Sequence, residues 1–176
     1  MNVKRFQTFS RFIAIFLILI GIIQVLALFF ILTGSEWASH VNQSNQITNG
    51  FTFSIASRTI SEFREVLVLK IILTITVAAE VFTLWIAQRL FLALANGATP
   101  FQTSFVKKLK TISQLIIAID VGIPLLYSAL ITILAESGYQ FQIGVTYWTI
   151  IGLIIYCTAE ILSYGISLQE LSDDTI

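Results

Sequence analysis

Apolar residues run almost unbroken through four stretches of the chain, at about 12–33, 67–94, 112–135 and 143–165, with the polar residues gathered between them. Each run is long enough to cross a hydrocarbon core of roughly 30 Å, which takes about 20 helical residues. The pattern predicts an all-α integral membrane four-helix bundle, with a single membrane domain over 1–176. The longest polar segment, 34–66, separates the first two spans. It carries turn-forming Asn42-Gln43-Ser44-Asn45 and Asn49-Gly50, then alternates through Phe51-Thr52-Phe53-Ser54-Ile55 as a short strand does. From Thr59 onward, Ile60, Phe63, Val66 and Leu67 recur at helical spacing and predict a helical lead-in to the second span.

The loop at 95–111 opens with Ala95-Asn96-Gly97, a helix stop, because Asn and Gly tolerate the left-handed conformation that closes a C-terminus. Pro100-Phe101 follows, and Thr103 or Ser104 is the expected N-cap of the next helix. Phe105, Leu109 and Ile112 then share one face, with Lys107, Lys108 and Lys110 spread around the others. This reads as an amphipathic foot whose lysine stems lie near the headgroups. The closing segment, 166–176, is an acidic tail too short to fold alone.

Three of the four spans carry a carboxylate: Glu80, Asp120 and Glu160. An ionised carboxylate at membrane depth costs at least ~2.5 kcal/mol, so it normally faces protein and has a partner. At 100° per residue, Ser113, Asp120, Pro124 and Tyr127 fall on one face of the third span. Thr149, Tyr156, Glu160, Tyr164 and Ser167 make a similar stripe on the fourth. The second span sets small residues Ala79, Thr83 and Ala87 at four-residue intervals beside Glu80, and Gln24 is the polar member of the first. The expected intramembrane polar seam is therefore Gln24, Glu80, Arg89, Asp120, Tyr127, Tyr156 and Glu160. Arg89 lies half a turn from Glu80, so the expected pairing is of Arg89 with an inward-facing Asp120 or Glu160. A structural seam is favoured over a proton or cation relay, because paired Gly/Pro-interrupted spans and an inverted repeat are missing. A homo-oligomer would keep a transport path open.

Composition fits a membrane chain: hydrophobic residues are 56% and charged residues 11%, against about 25% charged in ordinary soluble domains. The zero net charge hides an asymmetry. Lys4, Arg5, Arg11, Lys107, Lys108 and Lys110 flank the ends predicted to lie in the cytoplasm, against Arg58 and Arg64 in the first outer loop. Basic short loops stay inside, which predicts both termini cytoplasmic, an external loop at 34–66 and a cytoplasmic loop at 95–111. The run Phe12 to Leu32 exceeds the 7–15 residues of a signal core, so a retained anchor is expected. Cys157 is the single cysteine and His40 the single histidine, so neither a disulfide within the chain nor a metal site is expected. Asn42-Gln43-Ser44 fits a glycosylation acceptor, too short a motif to carry weight. No nucleophile–base spacing or phosphate loop is present, so the chain is predicted not to be an enzyme and to need no cofactor. The three lysines of the foot suit topology and anionic lipid, not direct nucleic-acid binding.

Two blocks carry a resemblance. Ala95-Asn96-Gly97-Ala98-Thr99-Pro100-Phe101 with Val106-Lys107-Lys108-Leu109-Lys110, and the closing run from Ala159-Glu160 through Tyr164-Gly165 and Leu168-Gln169-Glu170 to Asp173-Asp174, resemble the bacterial family of small four-span membrane proteins catalogued as domain of unknown function 2975. Ala98-Thr99 is a departure, since the family's loop is often shorter there. The resemblance implies a protein of the bacterial cytoplasmic membrane, often encoded beside a small helix-turn-helix regulator. Such a partner would dock on Asn96, Gly97, Pro100, Phe101, Lys107, Lys108, Lys110, Tyr164, Gln169, Glu170, Asp173 and Asp174. The bilayer is the other expected partner. An immunity protein against membrane-active peptides, and a small proton- or cation-coupled transporter, are the alternative functions.

Overall fold

The computed structural model describes residues 3–34 and 50–173. In chain order these form α1 (Val3–Thr33), β1 (Gly50–Thr59), α2 (Glu62–Ala95), α3 (Thr103–Leu134), β2 (Ser137–Thr146) and α4 (Tyr147–Asp173). All four helices are long and apolar enough to cross a membrane. At 1.5 Å per residue they run about 40–51 Å, beyond the roughly 30 Å hydrocarbon core. The four-helix expectation thus holds, and a two-stranded ribbon is added to it.

The helices pack in chain order, α1 on α2, α2 on α3 and α3 on α4. Two apolar clusters hold the middle pair together. Val68, Ile72 and Ile131 meet near the ribbon, with Ile60, Ile123, Tyr127 and Leu134 around them. Leu90, Leu94 and Ile112 meet near the α2–α3 turn, joined by Phe6 of α1 and by Phe91, Phe105 and Leu109. The apolar face of the foot therefore packs on protein as the first turns of α3, and does not lie flat at a headgroup layer. Close approach elsewhere relies on small side chains. Ser10 and Ala14 of α1 and Thr83 of α2 are buried. At Gly152 of α4 a Cβ would come 2.7 Å from Ile117 Cγ1 and 3.2 Å from the Ser113 carbonyl. Around this frame large apolar side chains point outward in number, among them Phe12, Phe16, Phe29 and Phe30 on α1. A soluble monomer does not expose such an area, whereas acyl chains would cover it.

β1 pairs antiparallel with β2, Gly50 opposite Thr146 and Thr59 opposite Ser137. The predicted strand at 51–55 is real and longer than its alternation suggested. β2 takes residues 143–146, which the apolar run had assigned to the fourth span, so α4 starts at Tyr147. The ribbon is turned inside out relative to a soluble sheet. Phe53, Ile55, Tyr139, Phe141, Ile143 and Val145 share the exposed face, while Gln140, Gln142 and Gly144 point toward the bundle.

An open strand edge leaves unpaired backbone groups, and α3 supplies partners for one edge of β2. The Ser128 hydroxyl accepts from the Gln142 N–H at 2.7 Å, and its single proton lies between the Pro124 carbonyl at 2.8 Å and the Gln142 carbonyl at 3.3 Å. Thr132 Oγ1 accepts from the Gln140 N–H at 3.0 Å and donates to its carbonyl at 2.9 Å. Four helical residues advance about 6 Å and two strand residues about 6.7 Å, so a stripe at four-residue spacing can meet every second residue of the strand.

Candidate functional site

Asp120 continues that stripe toward the start of α4. Its Oδ2 accepts from the backbone N–H of Thr146 at 3.0 Å and of Thr149 at 3.1 Å. The hydroxyl of Thr149 donates to Oδ2 at 2.6 Å, and that of Thr146 to Oδ1 at 2.7 Å. Thr146 precedes the first helical residue, and its Oγ1 also accepts from the Trp148 N–H at 3.2 Å. A capping box closes a helix start with a carboxylate from the helix's own first turn. Here a carboxylate from the neighbouring helix holds both ends of that turn. The positive end of the α4 dipole faces the charge, so no cation is required.

The expected pairing with Arg89 is therefore corrected. The Arg89 guanidinium stacks 4.0 Å from the centroid of Trp85, one turn earlier on α2. Trp and Arg four residues apart was the overlooked signal. Glu160 does not face inward either. α4 turns Gly152 and the fully buried Ala159 toward α3, which leaves Glu160 at the border with its side chain 48% exposed. From there it pairs with Lys110 at 2.8 Å, and the same ammonium lies 5.9 Å from the Tyr156 ring. Glu80, deeper on α2, accepts from Gln24 Nε2 at 2.7 Å. The three acids thus sit in three separate local contacts, Glu80 between α1 and α2 and the other two at different places along the α3–α4 pair. Arg64, assigned from the sequence to the first outer loop, reaches the Leu134 carbonyl at 3.3 Å, and Lys70 reaches the Leu32 carbonyl at 3.3 Å. Each puts positive charge at a helix C-terminus.

At the end opposite the ribbon, α2 stops as its sequence predicts. Gly97 has φ +93°; its N–H donates to the Leu94 carbonyl, and the Ala98 N–H donates to that of Ala93. This is the paired closure of a Schellman motif with Asn96 as the cap. The next helix starts one residue before the expected caps, at Gln102, which makes no side-chain cap bond. Beyond half-buried Pro100, Phe101 is 57% exposed, and Lys107 and Lys108 are exposed while Lys110 is engaged by Glu160. The closing segment is not a separate tail: α4 continues through Gln169 and Glu170 to Asp173, with Tyr164 and Leu168 exposed. Asp174, His40 and the Asn42 motif lie outside the described residues.

One side of the ribbon half holds a cleft of about 660 Å³ between α1, α2, α3 and β2. Its walls are mainly aliphatic, with Gln24, Glu65, Thr76, Tyr127, Gln140 and Gln142 as polar members. Gln24 Oε1 and Gln140 Oε1 are closed off, and among the described residues no donor reaches them. The sequence reading placed Gln24 and Tyr127 in the seam but missed Gln140 and Gln142, because β2 was not recognised. The strict alternation Tyr139-Gln140-Phe141-Gln142-Ile143-Gly144-Val145-Thr146 carried that signal. Comparison with protein-family models, with curated proteins and with solved structures finds no match for the chain.

Proposed function

We propose that this chain is a non-enzymatic integral membrane regulator, with its turn end in the cytoplasm, that holds a small helix-turn-helix transcription factor there. The observation that carries the reading is the surface at that end. Exposed Phe101, Lys107 and Lys108 on one side and Tyr164, Leu168 and Glu170 on the other combine aromatic area with charges of both signs. Such a mixture suits a specific and reversible protein partner. Lysines at this end, and only Arg58 in the ribbon besides the helix-capping bases, support the orientation. The identity of the partner rests on the resemblance to the four-span family. The separation of the three acids supports a structural role for the seam over a relay.

The test is co-purification from native membranes. The intact chain is compared with one truncated after Tyr164 and with a Phe101→Ala, Lys107→Glu, Lys108→Glu triple variant. The expected result is a helix-turn-helix protein retained by the intact chain and lost from both variants. Retention of no such protein, or equal retention by all three forms, overturns the reading and brings immunity or transport forward.

A further inference from the structure

α1 and α2 also enclose an apolar groove of about 360 Å³ that shares no lining residue with the cleft beside the ribbon. Ile18, Ile22 and Val25 form its α1 wall, and Val81, Leu84 and Trp85 its α2 wall. Gly21 keeps it open, since nothing lies within 4 Å of where its Cβ would stand. Leu17 to Leu26 cover about 13–14 Å of helix, close to the roughly 15 Å depth of one leaflet.

Toward the turn end the groove becomes basic. The Arg89 guanidinium lies 4.0 Å from the centroid of Trp85, and stacking by its face leaves its edge N–H donors free. Arg11 precedes Ile18 by seven residues, which puts it within about 20° of the same face of α1. The bonds of Gln24 to Glu80 and of Lys70 to the Leu32 carbonyl set the level of these antiparallel helices. On that level Arg11 stands roughly 6 Å beyond Arg89. Both arginines are exposed, and among the described residues neither has a carboxylate partner or donates a hydrogen bond to protein. Gln88 lines this end of the groove, and among the described residues its side-chain amide has no partner either. Centred on a roughly 30 Å core, α2 extends about 10 Å past it at each end. Arg89 lies about 9 Å before the last residue, Ala95, and so at the border of hydrocarbon and headgroups.

We propose that this groove holds an anionic phospholipid. One acyl chain lies along Ile18, Gly21 and Val25, the phosphodiester sits between Arg11 and Arg89, and an ester carbonyl accepts from the Gln88 amide. Two arginines without acceptors at the headgroup end of an apolar groove match the two parts of such a molecule. A zwitterionic lipid fits less well, because its ammonium would add a cation where two already stand. The binding rests on the bilayer placement of the helices and is independent of the proposed cytoplasmic partner.

The probe is phosphatidylglycerol with a photoreactive acyl chain, added to the full-length chain in phosphatidylcholine nanodiscs, with adducts located by peptide mass spectrometry. The expected result is saturable labelling of the segments 17–26 and 81–88. Unlabelled phosphatidylglycerol should compete at a concentration at least tenfold below that needed with phosphatidylethanolamine. Arg11→Gln and Arg5→Gln remove the same charge from positions about 120° apart around α1, and only Arg11→Gln should weaken the labelling. Adding Arg89→Gln to Arg11→Gln should abolish the preference for the anionic lipid. Gly21→Leu fills the groove where space is open, so it should block labelling while the melting temperature is unchanged or raised. Should Gly21→Leu fail to fold, the arginine variants decide, because those side chains are exposed. Labelling spread around the helices overturns the proposal, as does equal competition by phosphatidylethanolamine or an equal effect of Arg5→Gln and Arg11→Gln. Competition by soluble glycerol phosphate as effective as by the lipid overturns it too, and assigns the arginines to a free anion. Crosslinks that join the groove residues of two copies would assign the groove to a dimer and likewise overturn it.

Discussion

Replacing Asp120 tests whether a carboxylate on one helix starts the next. Asp120→Ala removes the acceptor for two backbone N–H groups and two hydroxyls. Loss of an N-cap alone costs about 0.5–2 kcal/mol. A donor left without a partner away from water costs about 1–3 kcal/mol. The two threonine hydroxyls can turn to other acceptors, so the backbone donors dominate and the expected loss is about 3–4 kcal/mol. Asp120→Asn keeps one oxygen for the Oδ2 donors, and Thr146 Oγ1 can reverse to accept from the new NH₂. What disappears is charge assistance, which roughly doubles such a bond, so about 1–2 kcal/mol is expected. Arg89→Ala, the control, removes a cation–aromatic contact worth about 0.5–1 kcal/mol. Unfolding in mixed micelles would rank the three, and amide exchange would show whether Thr146 and Thr149 lose protection first. A loss for Asp120→Ala no greater than for Arg89→Ala, or equal losses for Ala and Asn, would refute the capping role.

Gly152→Val should destabilise the chain by about 1–3 kcal/mol and loosen α4 from α3, since even a Cβ would press on Ile117 and the Ser113 carbonyl; a crosslinking screen between these helices would show the separation. Gly97→Ala should cost about 1 kcal/mol through its positive φ alone, measured in the same micelles, because only the flexible end of Gln7 lies near the added carbon, at 3.5 Å. In a background with Cys157 replaced by Ala, a single cysteine at 139 should react with an impermeant thiol reagent added outside intact cells. Cysteines at 101 and 170 should stay protected, and external labelling of either would reverse the proposed orientation.

The helices were legible because long apolar runs have few other fates, and the stop at Asn96-Gly97 because its chemistry is local. The seam was legible as a set of faces but not as a set of partners. Periodicity tells that Asp120 faces protein, yet its true partners are the backbone of Thr146 and the hydroxyls beside it, groups with no charge to advertise them. Arg89 was assigned across helices although Trp85 waited one turn away on its own helix. Reading the apolar run at 143 as the start of a span hid β2, and with it both the edge pairing along α3 and the cleft wall at Gln140. An outward apolar face defeats the usual soluble expectation, since alternation still marks the strand but the sides are exchanged.

The ribbon also sets an order of events. β1 is synthesised before α2 and α3, and its partner strand begins only at Ser137, after both helices. Loop closure over such a separation is entropically late, so the pairing cannot guide early assembly. Until β2 arrives, β1 lacks its partner, and Asp120, Ser128 and Thr132 on α3 lack the strand they bind. A chain stopped after α3 would thus be an unfinished intermediate with an exposed strand edge, open to pairing with other molecules. β2 and α4, made after the first three helices, satisfy the strand edge and the helix start in one step through Asp120. The ribbon acts as a latch: the arrangement of the first three helices becomes committed only after β2 has been made.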